Sequence, residues 1–251
     1  MTSMRSALDF TGKQALVVGG SSGIGNAVAQ AFRECGAAVH VTGTRISATD
    51  YGPDDFSDMT GLSYLQLDFR EPAPLKEWNV PFEHLDALVI SHALAYFKGE
   101  EFDRTVFRSV VDVNLSTVFD CCEHFKPLLA KAAGSIVIVS SLAAYRTIPY
   151  QPAYTASKAA LLGLVRALSM TYIRDGIRVN GIAPGLAKTK MGRNSHPDYD
   201  ALVDKTVRRT PMRRPAELHE MAGPVLYLSS SLASFVIGQT LVVDGGMSLT
   251  S

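Results

Sequence analysis

The chain has 251 residues, of which 47% are hydrophobic, and its 24 lysines and arginines balance 24 aspartates and glutamates. This length and composition allow one large α/β domain with a sizeable core. The charge balance argues against bulk binding to nucleic acid or to an anionic membrane. The N-terminal residues have no signal-peptide pattern, and no stretch reaches the roughly 18 uninterrupted apolar residues of a membrane span.

The strands and helices follow a regular alternation along the chain. An apolar run at 13–19, helical spacing over 23–35 that ends at Gly36, and a second apolar run at 37–43 predict one βαβ unit. Further strands are predicted at 62–68, 85–91, 135–141, 177–184 and 240–246. Helices are predicted at 103–131 with a late break at Pro127, at 153–174 and at 217–230. The strands are apolar along their whole length, which is typical of a parallel sheet covered on both faces. We therefore expect one doubly wound α/β domain over 1–251.

Three connections lack strong helical spacing. The acid-rich segment 46–61 and the proline-containing segment 70–84 predict short helices or loops in the third and fourth crossovers. Residues 188–215 are polar and too long for a simple connection in a compact domain. This segment is predicted to be a substrate lid, with a disordered segment as the alternative.

The cysteines form no disulfide framework, because Cys35, Cys121 and Cys122 are odd in number and two of them are adjacent. Burial of two small residues in a helix explains an adjacent pair more often than a redox or metal site does. We expect no metal site, and a reducing cytoplasm as the compartment.

A tyrosine and a lysine define the first candidate site. Tyr154 and Lys158 are one turn apart on one face of the predicted helix 153–174. A free tyrosine titrates near pH ~10, and a cation one turn away favours the phenolate and lowers that pKa. Ser141, on the preceding loop, can donate a hydrogen bond to a substrate oxygen. The three residues predict a proton-transfer site for a carbonyl or an alcohol.

Glycines mark the junction between the first strand and the first helix. Gly19, Gly20, Gly23 and Gly25 allow a tight turn and a close approach of the backbone to a ligand. The start of the following helix presents free N–H groups that bind phosphate. A phosphate-bearing ligand is therefore predicted here, and a tight turn without a ligand is the alternative.

These motifs together resemble the short-chain dehydrogenase/reductase family. The matching residues occur in the family's order along essentially the whole chain: Val18 to Gly25, Asn114, Ser141, Tyr154-x-x-x-Lys158 and Pro184-Gly185. The resemblance implies a Rossmann-type fold and an NAD(P)-dependent oxidoreductase that interconverts ketones and secondary alcohols. It also implies that Tyr154 is the general acid and base, that Lys158 lowers its pKa and binds the nicotinamide ribose, that Ser141 polarises the substrate oxygen, and that Asn114 holds a water beside the lysine.

The same resemblance implies a set of cofactor contacts. They comprise the glycine turn, the ends of strands two to four, the catalytic pair and the segment after strand six: Gly19, Ser21, Ser22, Gly23, Ile24, Gly25, Thr44, Arg45, Asp68, Phe69, Ser91, Tyr154, Lys158, Pro184, Gly185, Ala187 and Thr189. Asp68 is expected at the adenine ring, and the segment from Pro184 to Thr189 at the nicotinamide amide and the pyrophosphate.

Two departures from the family pattern stand out. Val18 replaces a usual threonine, and 90–93 read Ile-Ser-His-Ala where the family usually has Asn-Asn-Ala-Gly. We expect the second change to alter cofactor affinity or the stability of the strand end without abolishing activity. His92, in this segment, is expected to be a structural histidine, with a second acid or base as the alternative.

The end of the second strand predicts the cofactor. NAD-dependent enzymes place an acidic residue there for the ribose 2′-hydroxyl, and this chain has Gly43. Arg45, two residues on, is suited to pair with a 2′-phosphate. We therefore predict a preference for NADP(H) over NAD(H). A solvated Arg45 is the alternative, and the glycine turn has Ser21 and Ser22 where some relatives have a basic residue.

The same resemblance implies that the substrate pocket is formed by residues after strand four, between Ser141 and Tyr154, and in the lid. Its predicted residues are mainly aromatic and aliphatic: Tyr96, Ala143, Tyr145, Pro149, Tyr150 and Leu186. This composition favours a hydrophobic or aryl ketone. The arginine-rich run 208–214 is either a solvated face or a docking patch for a phosphopantetheine-bearing partner. The second reading makes a 3-oxoacyl-carrier-protein or CoA reductase the main alternative.

Two further expectations concern other classes of function and assembly. A non-catalytic nucleotide-binding protein with this fold is a third hypothesis, because fold does not imply function. The segment 235–247 resembles the family segment that packs between subunits. Together with the long helices at 103–131 and 153–174, it predicts a homotetramer.

Overall fold

The structure is a computed structural model that describes residues 7–71, 75–76, 78–195 and 198–250. Within these residues the chain forms a seven-stranded parallel sheet in the order β3-β2-β1-β4-β5-β6-β7. The strands are β1 (Gln14–Val18), β2 (Ala38–Gly43), β3 (Ser63–Gln66), β4 (Ala87–Ile90), β5 (Ser135–Val139), β6 (Arg178–Pro184) and β7 (Thr240–Val243). The helices are α1 (Gly23–Glu34), α2 (Arg104–Val111), α3 (Thr117–Ala132), α4 (Pro152–Tyr172), α5 (Lys190–Arg193), α6 (Tyr199–Arg209) and α7 (Leu218–Ser229).

The sheet is buried on both faces. Successive side chains of a strand face opposite sides, so Leu16 and Val18 of β1 join one core cluster whereas Val17 joins the other. The first cluster includes Phe125 of α3, and the second includes Phe32 of α1. The doubly wound α/β fold predicted from the apolar runs is thereby confirmed.

Strand β1 marks the point where the strand order reverses. Val17 pairs with Val41 of β2 on one side, and Val18 pairs with Ile90 of β4 on the other. In an open parallel sheet, the connections leaving two such strands diverge to opposite faces, which opens a crevice at their carboxyl ends. The glycine turn follows β1 and lies at this crevice.

The helical stretch predicted at 103–131 is interrupted at a different place in the structure. Helix α2 ends at Val111, a π-helical turn covers Asp112–Ser116, and α3 then continues through Pro127 to Ala132. The predicted break at Pro127 is therefore wrong. Pro127 has no N–H, so the carbonyl of Glu123 has no hydrogen-bond partner within the helix. Both residues are exposed. Water can therefore hydrate that carbonyl, and the helix tolerates the proline.

The weak connections agree in part with expectation. Residues 46–61 contain two short 3₁₀ turns, Ala48–Asp50 and Pro53–Asp55. The described part of 70–84 contains turns and bends, while 72–74 and 77 lie outside the described residues. The predicted lid contains the two helices α5 and α6, which its polar sequence did not reveal; 196–197 of this lid likewise lie outside the described part.

The adjacent cysteines lie where the packing interpretation placed them. Cys121 and Cys122 are buried in α3 and belong to the core cluster on that face of the sheet. No helix in the described part of the chain is both long enough and apolar enough to cross a membrane.

Candidate active site

A cleft of ≈ 1380 Å³ runs along the carboxyl ends of the strands. It extends from the glycine turn and the end of β2, past the ends of β4 and β5, to the segment after β6 and the lid. Pockets for a single small ligand are typically about 300–1,000 Å³. The cleft is therefore large enough for a dinucleotide together with a second molecule.

The glycine turn requires glycine for steric reasons. Gly19 has a φ of +77°, and a Cβ atom at this position would lie 2.6 Å from the backbone nitrogen of His92. A Cβ atom at Gly25 would overlap the carbonyl oxygen of Gly19. The first turn of α1 contains no acidic residue, so its free N–H groups can receive a phosphate without repulsion. This cradle fits the pyrophosphate of a dinucleotide.

Three polar side chains converge at the inner end of the cleft. Ser141 caps a 3₁₀ turn, and its Oγ accepts a hydrogen bond from the N–H of Ala143 at 3.1 Å. Tyr154 lies on the first turn of α4, and Lys158 follows one turn later. The Lys158 Nζ donates to the carbonyl of Val139 at 3.0 Å and lies 5.8 Å from the centre of the Tyr154 ring. The predicted grouping of Ser141, Tyr154 and Lys158 is present.

The electrostatics of this group differ from the simple sequence argument. Burial lowers the pKa of Lys158 to about 8. Burial also raises the pKa of Tyr154, and a hydrogen bond with Ser141 opposes this rise. We expected the lysine to lower the pKa of Tyr154, but its ammonium group is directed at the Val139 carbonyl and the desolvation of the phenol dominates. Tyr154 therefore keeps its proton at neutral pH and can donate it to a carbonyl oxygen.

Asn114 supports this group from behind rather than lining the cleft. It is fully buried in the π-helical turn. Its amide oxygen accepts from the N–H of Leu94 at 2.7 Å, and its amide nitrogen donates to the Leu94 carbonyl at 2.9 Å and to Ser157 Oγ at 3.1 Å. The side chain thereby connects the segment after β4 to α4.

The predicted cofactor residues all line the cleft, and the Thr189 side chain lies beside Gly23 of the glycine turn. Asp68 is oriented by Arg70, whose Nε donates to it at 2.9 Å. Among the predicted substrate residues, five line the cleft: Ala143, Tyr145, Pro149, Tyr150 and Leu186.

Tyr96 is the exception among the predicted substrate residues, because it does not line the cleft. Its neighbours Ala95 and Phe97 line the cleft instead. The aromatic character of Tyr96 was therefore a poor guide to its direction. The backbone of Tyr96 is held by Glu101 and Gln151.

The contacts of His92 are those of a structural histidine. Its Nε2 lies 3.1 Å from the Val113 carbonyl and 2.9 Å from Thr117 Oγ1, and its ring stacks on Phe69 with the centres 4.3 Å apart. Burial, assisted by the charge of Lys158, lowers the pKa of His92 to about 3. His92 is therefore neutral at physiological pH, and its ring contacts Val113, Thr117 and Phe69.

An ion-pair cluster beside the end of β2 was missed from the sequence. The Arg45 guanidinium binds the Asp55 carboxylate at 2.7 and 2.8 Å, and Lys190 Nζ binds the same carboxylate at 2.6 Å. The guanidinium also lies 4.5 Å from the centre of the Tyr51 ring. Arg45 is thus neither simply solvated nor unpaired. The acid-rich composition of 46–61 was the only sequence feature that pointed to such a cluster. It did not identify which of these acidic residues is buried and pairs with Arg45.

A second missed residue is Glu101. It is fully buried, and its two carboxylate oxygens accept hydrogen bonds from the N–H groups of Tyr96 at 3.2 Å and Tyr154 at 2.9 Å. No spacing rule pointed to this acid, because both of its partners are backbone groups.

Known proteins resemble the chain over nearly its whole length. A family model described as enoyl-(acyl carrier protein) reductase matches residues 18–248. The 3-oxoacyl-[acyl-carrier-protein] reductase of Chlamydia muridarum is 33% identical over 248 residues, which cover 94% of this chain and 97% of that protein. The cis-4-hydroxycyclohexanecarboxylate dehydrogenase of Sinomonas cyclohexanicum is 32% identical, with 94% and 97% covered.

A solved structure gives the same result. The RhlG/NADP active-site complex of Pseudomonas aeruginosa superposes with a TM-score of 0.81 at 26% identity, covering 98% of this chain and 100% of that one. The fold, the glycine cradle, the convergent polar group and these similarities lead to one assignment. The chain belongs to the short-chain dehydrogenase/reductase family, whose members are nicotinamide-dependent oxidoreductases acting on alcohol and ketone groups.

Proposed function

We propose that this protein is an NADP(H)-dependent oxidoreductase that interconverts a hydrophobic or aryl ketone and its secondary alcohol. The observation that carries the proposal is that Ser141, Tyr154 and Lys158 line the same cleft as a phosphate cradle. The cofactor supplies or accepts the hydride. The residues of the chain supply orientation and the proton.

In the reducing direction, three side chains act on the substrate oxygen. The Ser141 hydroxyl donates a hydrogen bond to the carbonyl and stabilises the negative charge that develops on its oxygen. The Tyr154 hydroxyl, protonated at neutral pH, donates the proton that completes the alcohol. Lys158 stabilises the phenolate left behind, and Asn114 maintains the position of α4 through Ser157. Oxidation uses the same groups in reverse.

The test of this mechanism is the variant Tyr154→Phe. We expect it to bind NADPH as the unchanged protein does but to lose ketone reduction, because the ring remains and only the proton donor is removed. Ketone-dependent NADPH oxidation measures the loss, and fluorescence titration measures binding. Unchanged reductase activity in this variant would contradict the mechanism. It would also favour the third hypothesis, a nucleotide-binding protein without this catalysis.

Support for NADP(H) comes from the end of β2. Position 43 carries no acidic side chain, and a Cβ atom at Gly43 would come close to the Tyr51 hydroxyl and to Ser21. Arg45 and Lys190 line the neighbouring wall of the cleft. The related RhlG structure is a complex with NADP. We expect Arg45→Ala to weaken use of NADPH more than use of NADH, and equal kcat/KM for the two cofactors in the unchanged protein would contradict the preference.

Support for an apolar substrate comes from the wall of the cleft formed by the segment between Ser141 and Tyr154. Tyr145, Ile148, Pro149 and Tyr150 form much of this wall and are exposed to the cleft or to solvent. Apolar side chains that line an open cleft are typical of a site that binds an apolar ligand, which removes them from water. A panel of aryl and aliphatic ketones, tested with both cofactors, identifies the class.

A 3-oxoacyl-carrier-protein or CoA reductase is the second candidate. The similarity to the Chlamydia muridarum enzyme favours it, and Arg209 of the arginine-rich run lines the cleft. Arg214, in contrast, is paired with Glu220 at 2.6 Å, so the run is only partly available for docking. Faster turnover of acetoacetyl thioesters than of simple aryl ketones would establish this candidate over the first.

The remaining proposals concern organisation. We propose a single domain over 1–251 with 188–215 as a substrate lid, because Met191, Leu202 and Thr206 of this segment line the cleft. The unpaired state of Cys35, Cys121 and Cys122 fits a reducing, cytoplasmic location. Exposed apolar side chains on α3, α4 and the segment 235–247 support a homotetramer, tested below.

A further inference from the structure

Asp55 joins two cations that come from distant parts of the chain. It ends the 3₁₀ turn Pro53–Asp55, and only 9% of it is exposed. One carboxylate oxygen accepts from Arg45 Nη2 at 2.8 Å and from Lys190 Nζ at 2.6 Å, and the other accepts from Arg45 Nη1 at 2.7 Å. Arg45 follows β2, whereas Lys190 begins the lid helix α5. One carboxylate thus connects the adenosine end of the cleft to the lid.

The three side chains differ in their relation to the cleft. Arg45 and Lys190 line it, whereas Asp55 lies behind them and is not part of its wall. The turn that carries Asp55 is itself fixed, because the neighbouring Phe56 carbonyl accepts a hydrogen bond from the N–H of Gly23 at 2.9 Å. The Asn26 side chain also holds Asp58 through both its N–H and its carbonyl. The carboxylate is therefore a fixed support for the two cationic side chains.

We propose that Asp55 is a positioning residue that holds Arg45 and Lys190 together as a clamp for the 2′-phosphate of the cofactor. This inference rests on the NADP(H) preference proposed above. Two cations beside each other repel, and the carboxylate between them removes that repulsion while leaving the cluster with a net positive charge. A phosphate monoester carries a charge of about −1.5 to −2 at pH 7 and has three acceptor oxygens, so it is the group best suited to bridge the two cations.

The clamp has a consequence for the lid. Lys190 is the first residue of α5, and Thr189 before it caps this helix by accepting the N–H of Gly192 at 3.1 Å. A phosphate that binds Lys190 therefore also holds the start of the lid. Cofactors with the 2′-phosphate stabilise the lid, and cofactors without it do not.

The first test uses Asp55→Asn, with the exposed neighbour Asp54→Asn as the matched control of equal charge change. Fluorescence titration gives the dissociation constants of NADPH and NADH. We expect Asp55→Asn to raise the dissociation constant of NADPH by about tenfold, as loss of one charged hydrogen-bonded contact does, and that of NADH by less than about twofold. Asp54→Asn changes neither. Equal loss for both cofactors, or tighter binding of NADPH, would overturn the positioning role.

The second test does not depend on the stability of the Asp55 variant. It compares 2′,5′-ADP with 5′-AMP, which share the adenosine but differ in the 2′-phosphate, on the unchanged protein. We expect 2′,5′-ADP to slow amide hydrogen exchange in 190–193 and 5′-AMP to leave it unchanged. Lys190→Gln removes the protection. Equal protection by both nucleotides, or protection that survives in Lys190→Gln, would overturn the connection to the lid.

Arg45→Ala separates this inference from the proposal on which it rests. If Arg45→Ala weakens NADPH binding selectively and Asp55→Asn does not, the cofactor preference stands and the role of Asp55 is wrong. If Arg45→Ala has no selective effect, the cofactor preference itself is wrong.

Discussion

The Glu101 carboxylate accepts a hydrogen bond at 2.9 Å from the N–H of Tyr154, so a buried acid is attached to the residue that carries the reactive phenol. This N–H lies in the first turn of α4, where backbone donors have no partner within the helix. The other oxygen of Glu101 binds the N–H of Tyr96. Glu101 thereby connects the segment after β4 to the start of α4, and its negative charge raises the pKa of Tyr154.

Glu101→Gln tests this coupling through the pH dependence of the reaction. Tyr154 has to be protonated for reduction, so kcat/KM falls as the pH rises through its pKa. Glu101 is the charged group that raises the pKa of Tyr154, and removing its charge lowers that pKa. We expect the fall in kcat/KM to move to lower pH. The amide can accept only one of the two N–H groups well, which also costs about 1–3 kcal/mol in the free energy of unfolding.

Glu100→Gln is the matched control, because Glu100 lies in the same 3₁₀ turn and is exposed. It should leave both the pH profile and the stability unchanged. A Glu101→Gln profile that coincides with that of the unchanged protein would show that the acid is only a structural cap.

Lys158 predicts a stability that depends on pH. Its pKa is about 8 in the folded chain against a usual value of 10.5, so above pH 8 the unfolded chain binds more protons at this site than the folded chain does. Stability therefore rises with pH between 8 and 10.5, and it is lowest below 8, where the buried ammonium is charged in both states. From this site we expect a gain of about 2 kcal/mol between pH 7 and pH 10.

Lys158→Met isolates this contribution, because other titrating groups affect both proteins alike. Urea unfolding at each pH measures the free energy of unfolding of both proteins. That of the unchanged protein should rise relative to that of Lys158→Met as the pH rises. A difference that stays constant from pH 7 to pH 10 would mean that Lys158 titrates normally in the folded chain. The variant is expected to lack activity at every pH.

The sequence predicted the sheet well because its strands are continuous apolar runs bounded by turn residues. The catalytic grouping was equally accessible, since Tyr154 and Lys158 are close in sequence and a helix places them on one face. The π-helical turn at Asp112–Ser116 could not be predicted from the sequence. It depends on contacts of Asn114 with Leu94 and Ser157, which are distant in the chain, whereas Pro127 gave a strong local signal that solvent exposure overrides.

The Asp55 cluster was inaccessible for the same reason. Lys190 and Asp55 are 135 residues apart, and several acids in 46–61 were equal candidates on composition. Tyr154 shows a second limit. The spacing correctly placed a lysine beside it, but the direction of its pKa shift depends on burial, which no local pattern contains.

Gly25→Ala tests the steric requirement of the phosphate cradle. The added methyl group would overlap the Gly19 carbonyl, so the turn has to shift away from its binding geometry. We expect the affinities for NADPH and NADH to fall together by at least about tenfold. We also expect the free energy of unfolding to fall by about 1–3 kcal/mol. Titration calorimetry and urea unfolding measure the two effects.

The control for this variant is Gly223→Ala. Gly223 lies exposed inside α7, and an added Cβ atom there meets no atom within 4 Å. This substitution should stabilise the protein by about 0.5–1 kcal/mol, because alanine loses less backbone entropy than glycine in a helix. Equal cofactor affinity in Gly25→Ala and the unchanged protein would contradict the cradle.

Phe235→Asp tests the proposed assembly. Phe235 is 101% exposed, Met170 on α4 is 69% exposed and Phe119 on α3 is 44% exposed. Large apolar side chains this accessible support the proposal that another subunit covers them. We expect the unchanged protein to have the mass of four 27.0 kDa chains in light scattering, and Phe235→Asp and Met170→Glu to lower that mass. Leu8→Asp, an exposed apolar position outside these elements, should leave it unchanged. A mass near one chain for the unchanged protein would rule out the assembly, because these side chains would then be in contact with water alone.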